Sequence, residues 1–263
     1  MDSKKFKERT CFLLSFSYLG EGFLGVQEQP GLRTVLGALR ERIEQLAGQK
    51  ACAMCVAART DRGVQALDNF VTFYLRNPCD ASSTIEGLLR TQEPGLFIKF
   101  VKRVSPHVHA RANAHGKLYR YTILDNCADT ETQNLAWHIA PSIDIDAMKK
   151  AVLNLIGEHD FSSFRGRRCG AKNPVKYLKK ITIARVSQCF VVIEVEGNGF
   201  LRYMIRNIVG TLVEVGTGLR NPVDVKNILD AKDRQAAGIM APAHGLCLVK
   251  VNFKVSDKDI YEV

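Results

Sequence analysis

Apolar residues in this chain change their spacing repeatedly, and those changes of period constrain the fold more than any other property. Phe12, Leu14, Phe16 and Tyr18 recur at every second position, the period of a strand. Val35, Leu36, Leu39, Ile43 and Leu46 recur at three or four, the period of a helix, and Gly48 stands where such a helix would stop. Residues 51–58 and 69–75 read as strands flanking a polar RTDRG turn, followed by a helix near 84–90 and a strand over 97–104. The second half repeats the alternation. It has a strand at 117–124, a helix carrying Met148, Val152, Leu155 and Ile156, strands at 177–186 and 190–196, helices at about 201–215 and 222–231, and a closing strand at 246–253. Two similar mixed series predict an α+β fold in two halves, 1–105 and 106–263, divided at the Ser105–Pro106 step that interrupts the pattern.

The chain of 263 residues carries 37 lysines and arginines against 27 aspartates and glutamates, a formal charge of +10 that favours a polyanionic partner. No window approaches the roughly 18 to 20 apolar residues needed to span a bilayer. The opening MDSKKFKERT mixes both charge signs and resembles neither a secretory signal nor an acid-poor transit peptide, so a soluble, cytoplasmic protein is expected. The eight cysteines, at 11, 52, 55, 79, 127, 169, 189 and 247, show no framework spacing and read as reduced, mostly buried thiols. Cys52 and Cys55 form a C-x-x-C with no second pair after it, which makes poor zinc chemistry, and no metal is expected.

Four segments carry candidate chemistry. Arg59-Thr60-Asp61-Arg62-Gly63 places one carboxylate between two guanidinium groups in a turn. Neighbouring positive charge keeps an aspartate ionised and fit for nucleophilic or proton-abstracting work, although a solvated turn with a local salt bridge has the same sequence. Gly197-Asn198-Gly199 leads into a helix whose apolar residues Leu201, Ile205, Ile208, Leu212 and Val215 form a core-facing stripe, with Arg202 and Arg206 one turn apart near its start. Arg111 precedes the strand Lys117-Leu118-Tyr119-Arg120-Tyr121, whose tyrosines share a face and serve either packing or base stacking. Residues 165–180 hold seven basic residues, Arg165, Arg167, Arg168, Lys172, Lys176, Lys179 and Lys180, and no acidic one, which makes this stretch the best candidate for phosphate contact. Phe161 and Phe164 just before it are expected to pack beneath the loop.

In this order the segments resemble the signature of the TruA-type tRNA pseudouridine synthases. YLGEGFLGVQEQPGLRTVLGAL resembles the family's first motif, ARTDRGVQAL its catalytic loop, and KLYRYTI the strand bearing its active-site tyrosine. GEHDFSSFR, GNGFLRYMIRNIVGTLVEVG and APAHGLCLVKV resemble the later blocks. The resemblance implies a pseudouridine synthase fold of two ferredoxin-like halves, with a largely antiparallel mixed sheet, helices packed on it and the active-site cleft between the halves. It assigns the catalytic roles to Asp61, Tyr119 and Arg206, the last as the carboxylate-pairing arginine. Gln65 stands where the family commonly has histidine, Val26 where it has tryptophan, and Lys176 where it has arginine. Lysine keeps the charge but not the bidentate fork.

What the resemblance implies is an isomerisation without cofactor or metal, performed on a uridine extruded from tRNA. Arg59, Arg111, Arg165, Arg167, Arg168, Lys172, Lys176 and Arg202 are the expected substrate contacts. The family precedent is a homodimer acting on the anticodon arm, at about positions 38 to 40, where the target base must leave its stack. A larger eukaryotic-type multisite enzyme is the runner-up. A non-catalytic RNA-binding protein is disfavoured by the intact Asp61, Tyr119 and Arg206, and a nuclease or glycosidase would need a second acid or a metal set near Asp61.

Overall fold

The computed structural model of the protein describes residues 9–76, 81–90, 93–127, 134–140 and 142–261. Its elements run β1 (Arg9–Tyr18), α1 (Val35–Ala47), β2 (Cys52–Val56), β3 (Gln65–Arg76), α2 (Ala81–Leu89), β4 (Leu96–Val104), β5 (Ala114–Asp125), β6 (Trp137–Ile139), α3 (Ile145–Val152), β7 (Gly157–Asp160), β8 (Val175–Arg185), β9 (Phe190–Gly197), α4 (Met204–Gly216), α5 (Asp224–Ala231), β10 (Leu246–Phe253) and β11 (Ile260–Tyr261). Two compact units result. The first comprises 1–115 with the returning tail 248–263, and the second comprises 116–247.

The units therefore do not part at Ser105–Pro106, where the interrupted pattern had placed the boundary. The Pro106 segment stays with the first unit because it is tied there. Tyr74 Oη donates to Pro106 O at 2.9 Å, Ser105 N donates to Asp259 O at 2.8 Å, and β11 pairs with the end of β4. No sequence period signals that the tail comes back.

In the first unit the order β-α-β-β-α-β gives neighbours β4-β1-β3, with β2 against β3, which is the split βαβ arrangement of ferredoxin-like domains. β1 pairs antiparallel with β3 and with β4. Phe12, Leu14, Phe16 and Tyr18 are all buried, as their period requires, and α1 buries Val35, Leu36, Leu39 and Ile43. Each such side chain contributes about 1.5–3 kcal/mol. Thr34 caps α1 by accepting from Gly37 N, and Gly48, at φ 61°, ends it in the left-handed conformation.

In the second unit β5 pairs antiparallel with β9, β9 with β8, and β8 with β7, while β6 lies parallel to β5. The core helix is α4. Leucine, isoleucine and valine spacing predicts one apolar stripe, yet almost the whole helix is buried, including Arg206, Asn207 and Thr211. Gly210 explains how neighbours come so close. A Cβ there would meet the carbonyl of Ile239, whose carbon lies 2.8 Å from the added atom.

Three further sequence expectations change. The helix expected from Leu201 begins at Met204, because Tyr203 is left-handed at φ 63° and Met204 N turns back to Leu201 O. The helix carrying Met148 and Val152 ends at Val152, so Leu155 lies in a short 3-10 turn and Ile156 is extended and partly exposed. The cysteines are not uniformly reduced, buried thiols. Cys127 and Cys189 form a disulfide with Cα atoms 5.6 Å apart, and of the described free cysteines only Cys11 is buried. β5 and β9 bring that pair together from 62 residues apart, a register that linear spacing does not reveal. Cys52 and Cys55 sit half-exposed on β2, a short strand with an irregular register against β3, and Cys79 lies outside the described residues. No helix among the described residues is long and apolar enough to cross a membrane.

Gly210→Ala is expected to destabilise the protein by about 3 kcal/mol, at the upper end for inserting one carbon into a packed interior. Chemical denaturation of the variant against the parent protein checks this.

Candidate functional site

The turn carrying Asp61 is closely seated against backbone. Gly20 lies against it so closely that a Cβ there would sit 2.9 Å from the carbonyl carbon of Val64 and closer still to Gly63. Gly25, at φ +95°, faces Thr60 O and Arg62 N at 3.3 and 3.4 Å from its own virtual Cβ. Val26 N donates to Thr60 O, and Tyr18 Oη shares a 2.7 Å hydrogen bond with Thr60 Oγ1. Val64 N closes the turn on Asp61 O at 3.2 Å, with Gly63 at φ +81°. The segment resembling the family's first motif is thus, physically, the seat of the aspartate turn.

Asn69 holds the other end. This side chain is fully buried on β3, where its Oδ1 accepts from Ala58 N and Phe70 N and its Nδ2 donates to Ala58 O at 2.9 Å. Ala57 and Ala58 are anchored inside, so the chain emerges at Arg59. Arg59 and Arg62 are exposed and Asp61 is half-exposed. Arg111 is also exposed, in a tight turn where Asn113 Oδ1 accepts from His109 N at 2.8 Å. Sequence reasoning missed Asn69, Gly20 and Gly25 as supports. The glycine pattern was the one available signal.

In the second unit Tyr119 lies on β5 opposite Val195, only 7 % exposed, with Phe200 edge-on at 5.2 Å. Tyr121, two residues on, shares its face as expected and donates to Pro242 O at 2.8 Å. Burial pushes the Tyr121 hydroxyl well above the ordinary phenol range, against the opposing pull of the Arg206 charge. Arg206 is 9 % exposed. Its Nε donates to Ala241 O at 2.7 Å while its own carbonyl accepts from Ala241 N. The 241–245 segment therefore braces both side chains, and Gly245 is required there, since a Cβ would lie 2.7 Å from the Tyr121 ring.

The basic stretch 165–180 is less uniform than its composition suggests. Arg165 braces its own loop by donating to Cys169 O and Ala171 O, both at 2.6 Å. Lys176 donates to Asn173 O and Val175 O, and Lys179 meets Glu196 on the adjoining strand at 2.8 Å. Arg167, Arg168, Lys172 and Lys180 are exposed cations. Phe161 and Phe164 are fully buried, the packing role expected of them. The loop is stitched to the start of α4: Gly166 N donates to Arg202 O at 2.8 Å, Arg202 N to Cys169 Sγ at 3.4 Å, and Asn207 Nδ2 to Phe164 O at 2.8 Å. Although burial raises it, the Cys169 thiol is held below its usual pKa by hydrogen bonds from Ala171 and Arg202 and by Arg165.

Taken by themselves, two α+β units, one presenting an aspartate in a basic turn and the other a buried arginine beside tyrosines, give the architecture without naming a substrate. Comparison with known proteins is more specific. A family model described as tRNA pseudouridine synthase matches residues 151–254. tRNA pseudouridine synthase A of Thermosipho melanesiensis is 38% identical over 243 residues, covering 92% of this chain and 99% of that protein. The Thermotoga maritima protein of the same name is 37% identical over 238 residues, covering 90% and 96%. The chain belongs to the tRNA pseudouridine synthase family, of the kind named tRNA pseudouridine synthase A. Among solved structures, an H/ACA RNP bound to a substrate RNA containing 2′-deoxyuridine aligns over 94% of this chain and 50% of that one, with 12% identity and a TM-score of 0.37.

Asn69→Ala removes the partners of Ala58 N and O inside the protein, at an expected cost of about 2 kcal/mol in thermal or chemical unfolding. Cys169 is expected to alkylate at lower pH than Cys11, whose thiol burial pushes up to about 11. Arg165→Ala is expected to move the Cys169 alkylation midpoint upward, as mass spectrometry across a pH series would show.

Proposed function

We propose that this chain converts uridine to pseudouridine in tRNA, with Asp61 as the group that acts on the nucleotide. The observation that carries the reading is the Asp61 turn. A half-exposed carboxylate is held on a rigid backbone seat between two exposed arginines, in a chain that matches tRNA pseudouridine synthases A over nine-tenths of its length. The reaction breaks the bond from uracil N1 to C1′, turns the ring, joins C5 to C1′, releases the C5 proton to solvent and leaves N1 carrying a proton in its place. Nothing is oxidised or hydrolysed, so neither a redox cofactor nor a metal is needed.

The remaining roles follow from chemistry. Asp61 attacks the nucleotide or removes a sugar proton. Arg206, a permanent cation fixed by Ala241, serves as the partner that orients and ionises that carboxylate. Tyr119, held edge-on by Phe200, stacks on the extruded base and assists loss of the C5 proton. Arg59 stands at the flipped nucleotide. Arg111, Arg167, Arg168, Lys172 and Arg202, all exposed, contact phosphates, whose neutralisation supplies the energy to unstack the base. Arg165 and Lys176, engaged with their own loop carbonyls, shape that surface more than they touch RNA. The target is the anticodon arm, at about positions 38 to 40, bases that must leave their stack to react. The working form is a cytoplasmic homodimer.

The test supplies tRNA tritiated at uracil C5, because isomerisation expels that hydrogen whereas binding does not. Wild type is expected to release tritium. Asp61→Ala, with tRNA binding retained, is expected to fall to about one thousandth of that rate or below, the scale of losing a group that acts on the reacting atoms. Unaltered release from Asp61→Ala would refute the assignment.

A further inference from the structure

Tyr203 occupies a backbone conformation that an aromatic residue rarely takes. At φ 63° it lies in the left-handed region immediately before α4, with no side-chain cap. Such a conformation persists only where its surroundings impose it, and it is a reason to ask what the residue does. What it does here is bring one ring within reach of two guanidinium groups. Arg202 Cζ lies 4.6 Å from the ring centroid and Arg206 Cζ 5.4 Å, while Arg202 Nη2 donates to the Tyr203 hydroxyl at 2.7 Å. The two arginines differ in setting. Arg202 is exposed, and Arg206 is buried and anchored at Nε by Ala241.

The ring is itself seated. A Cβ on Gly166 would overlap Tyr203 Cδ2, and Gly166 N is bonded to the carbonyl of Arg202, so the basic loop lies flat against the tyrosine. An ordinary helical residue at 203 would continue α4 backward, and the side chain would leave Gly166. The left-handed turn is what directs the ring onto the loop while both guanidinium groups stay over it.

We propose that Tyr203 is a positioning residue for the isomerisation. Its ring sets the orientation of the Arg206 guanidinium through a cation–π contact, and its hydroxyl couples that setting to Arg202 at the RNA-facing surface. The proposal rests on the reading that Arg206 serves the reaction. A tRNA phosphate drawn to Arg202 meets a guanidinium already oriented by Tyr203, so weakening the hydroxyl link affects binding, and removing the ring affects the chemical step.

The two links separate experimentally. Tyr203→Phe keeps the ring and removes the hydroxyl; Tyr203→Ala and Tyr203→Leu remove the aromatic face, the leucine keeping bulk against Gly166. In single-turnover tritium release at saturating tRNA, Ala and Leu are expected to slow the reaction at least about tenfold, since a small misplacement of a reacting-site group is costly. Phe is expected to restore the rate to within about twofold while raising half-saturation for tRNA about threefold, the effect of one exposed hydrogen bond. The Arg206 Nε–H proton resonance gives a readout without substrate: Phe should preserve its ring-current shift, and Ala or Leu should abolish it. Should Ala fail to fold, Leu decides. Equal rates for Leu and wild type, equal rate losses for Phe and Leu, or an unchanged Arg206 resonance in Leu would each overturn the proposal. A wild type that releases no tritium would instead count against the function reading, and the resonance would still judge the tyrosine.

Discussion

Backbone against backbone, at Gly20 and Gly63, is the contact on which the placement of the Asp61 turn depends. No side chain intervenes, and none fits. The turn bearing Asp61 is placed by this approach, by Gly25 beside Thr60 and Arg62, and by the hydrogen bond from Tyr18 to Thr60, with Asn69 securing the strand just before it. The carboxylate is seated on main chain, and Arg59 and Arg62 on either side of it are exposed. Segments separated by some forty residues in sequence are therefore one structural object.

The second unit solves a different problem, that of holding a full positive charge inside a protein. α4 is buried on nearly every side, a setting in which an isolated charge is costly. Arg206 is accommodated by the Ala241 carbonyl, the Tyr203 ring and the face of β5 that carries Tyr121. Gly210 and Gly245 permit the close approach of the 239–245 segment that supplies the carbonyl. The guanidinium is thus held in one orientation by the fold itself.

Most of the framework was legible from periodicity alone. The strand ending at Tyr18, the helix stopped by Gly48 and the closing strand over 246–253 are where spacing put them. What spacing could not convey was short, special or non-local. β6, β7 and β11 are too brief for a period to show. Tyr203 interrupts a helical pattern that continues unbroken in sequence, because Leu201 is buried by a turn rather than by the helix. The Cys127–Cys189 disulfide and the return of the tail to β4 depend on pairings across the chain. Among site residues, composition marked the basic loop but could not tell the exposed Arg167, Arg168 and Lys172 from Arg165, which is occupied by its own loop carbonyls. The resemblance brought out Asp61, Tyr119 and Arg206, whereas their supports, Asn69, Ala241 and Gly245, emerged only from contacts.

Nucleoside analysis of an unmodified tRNA transcript after incubation with the purified chain tests the central claim most directly. The account expects pseudouridine to appear at the expense of uridine, with their sum constant and no free uracil, and expects none from Asp61→Asn. Free uracil, or a transcript left unchanged by a protein that binds it, would contradict the account.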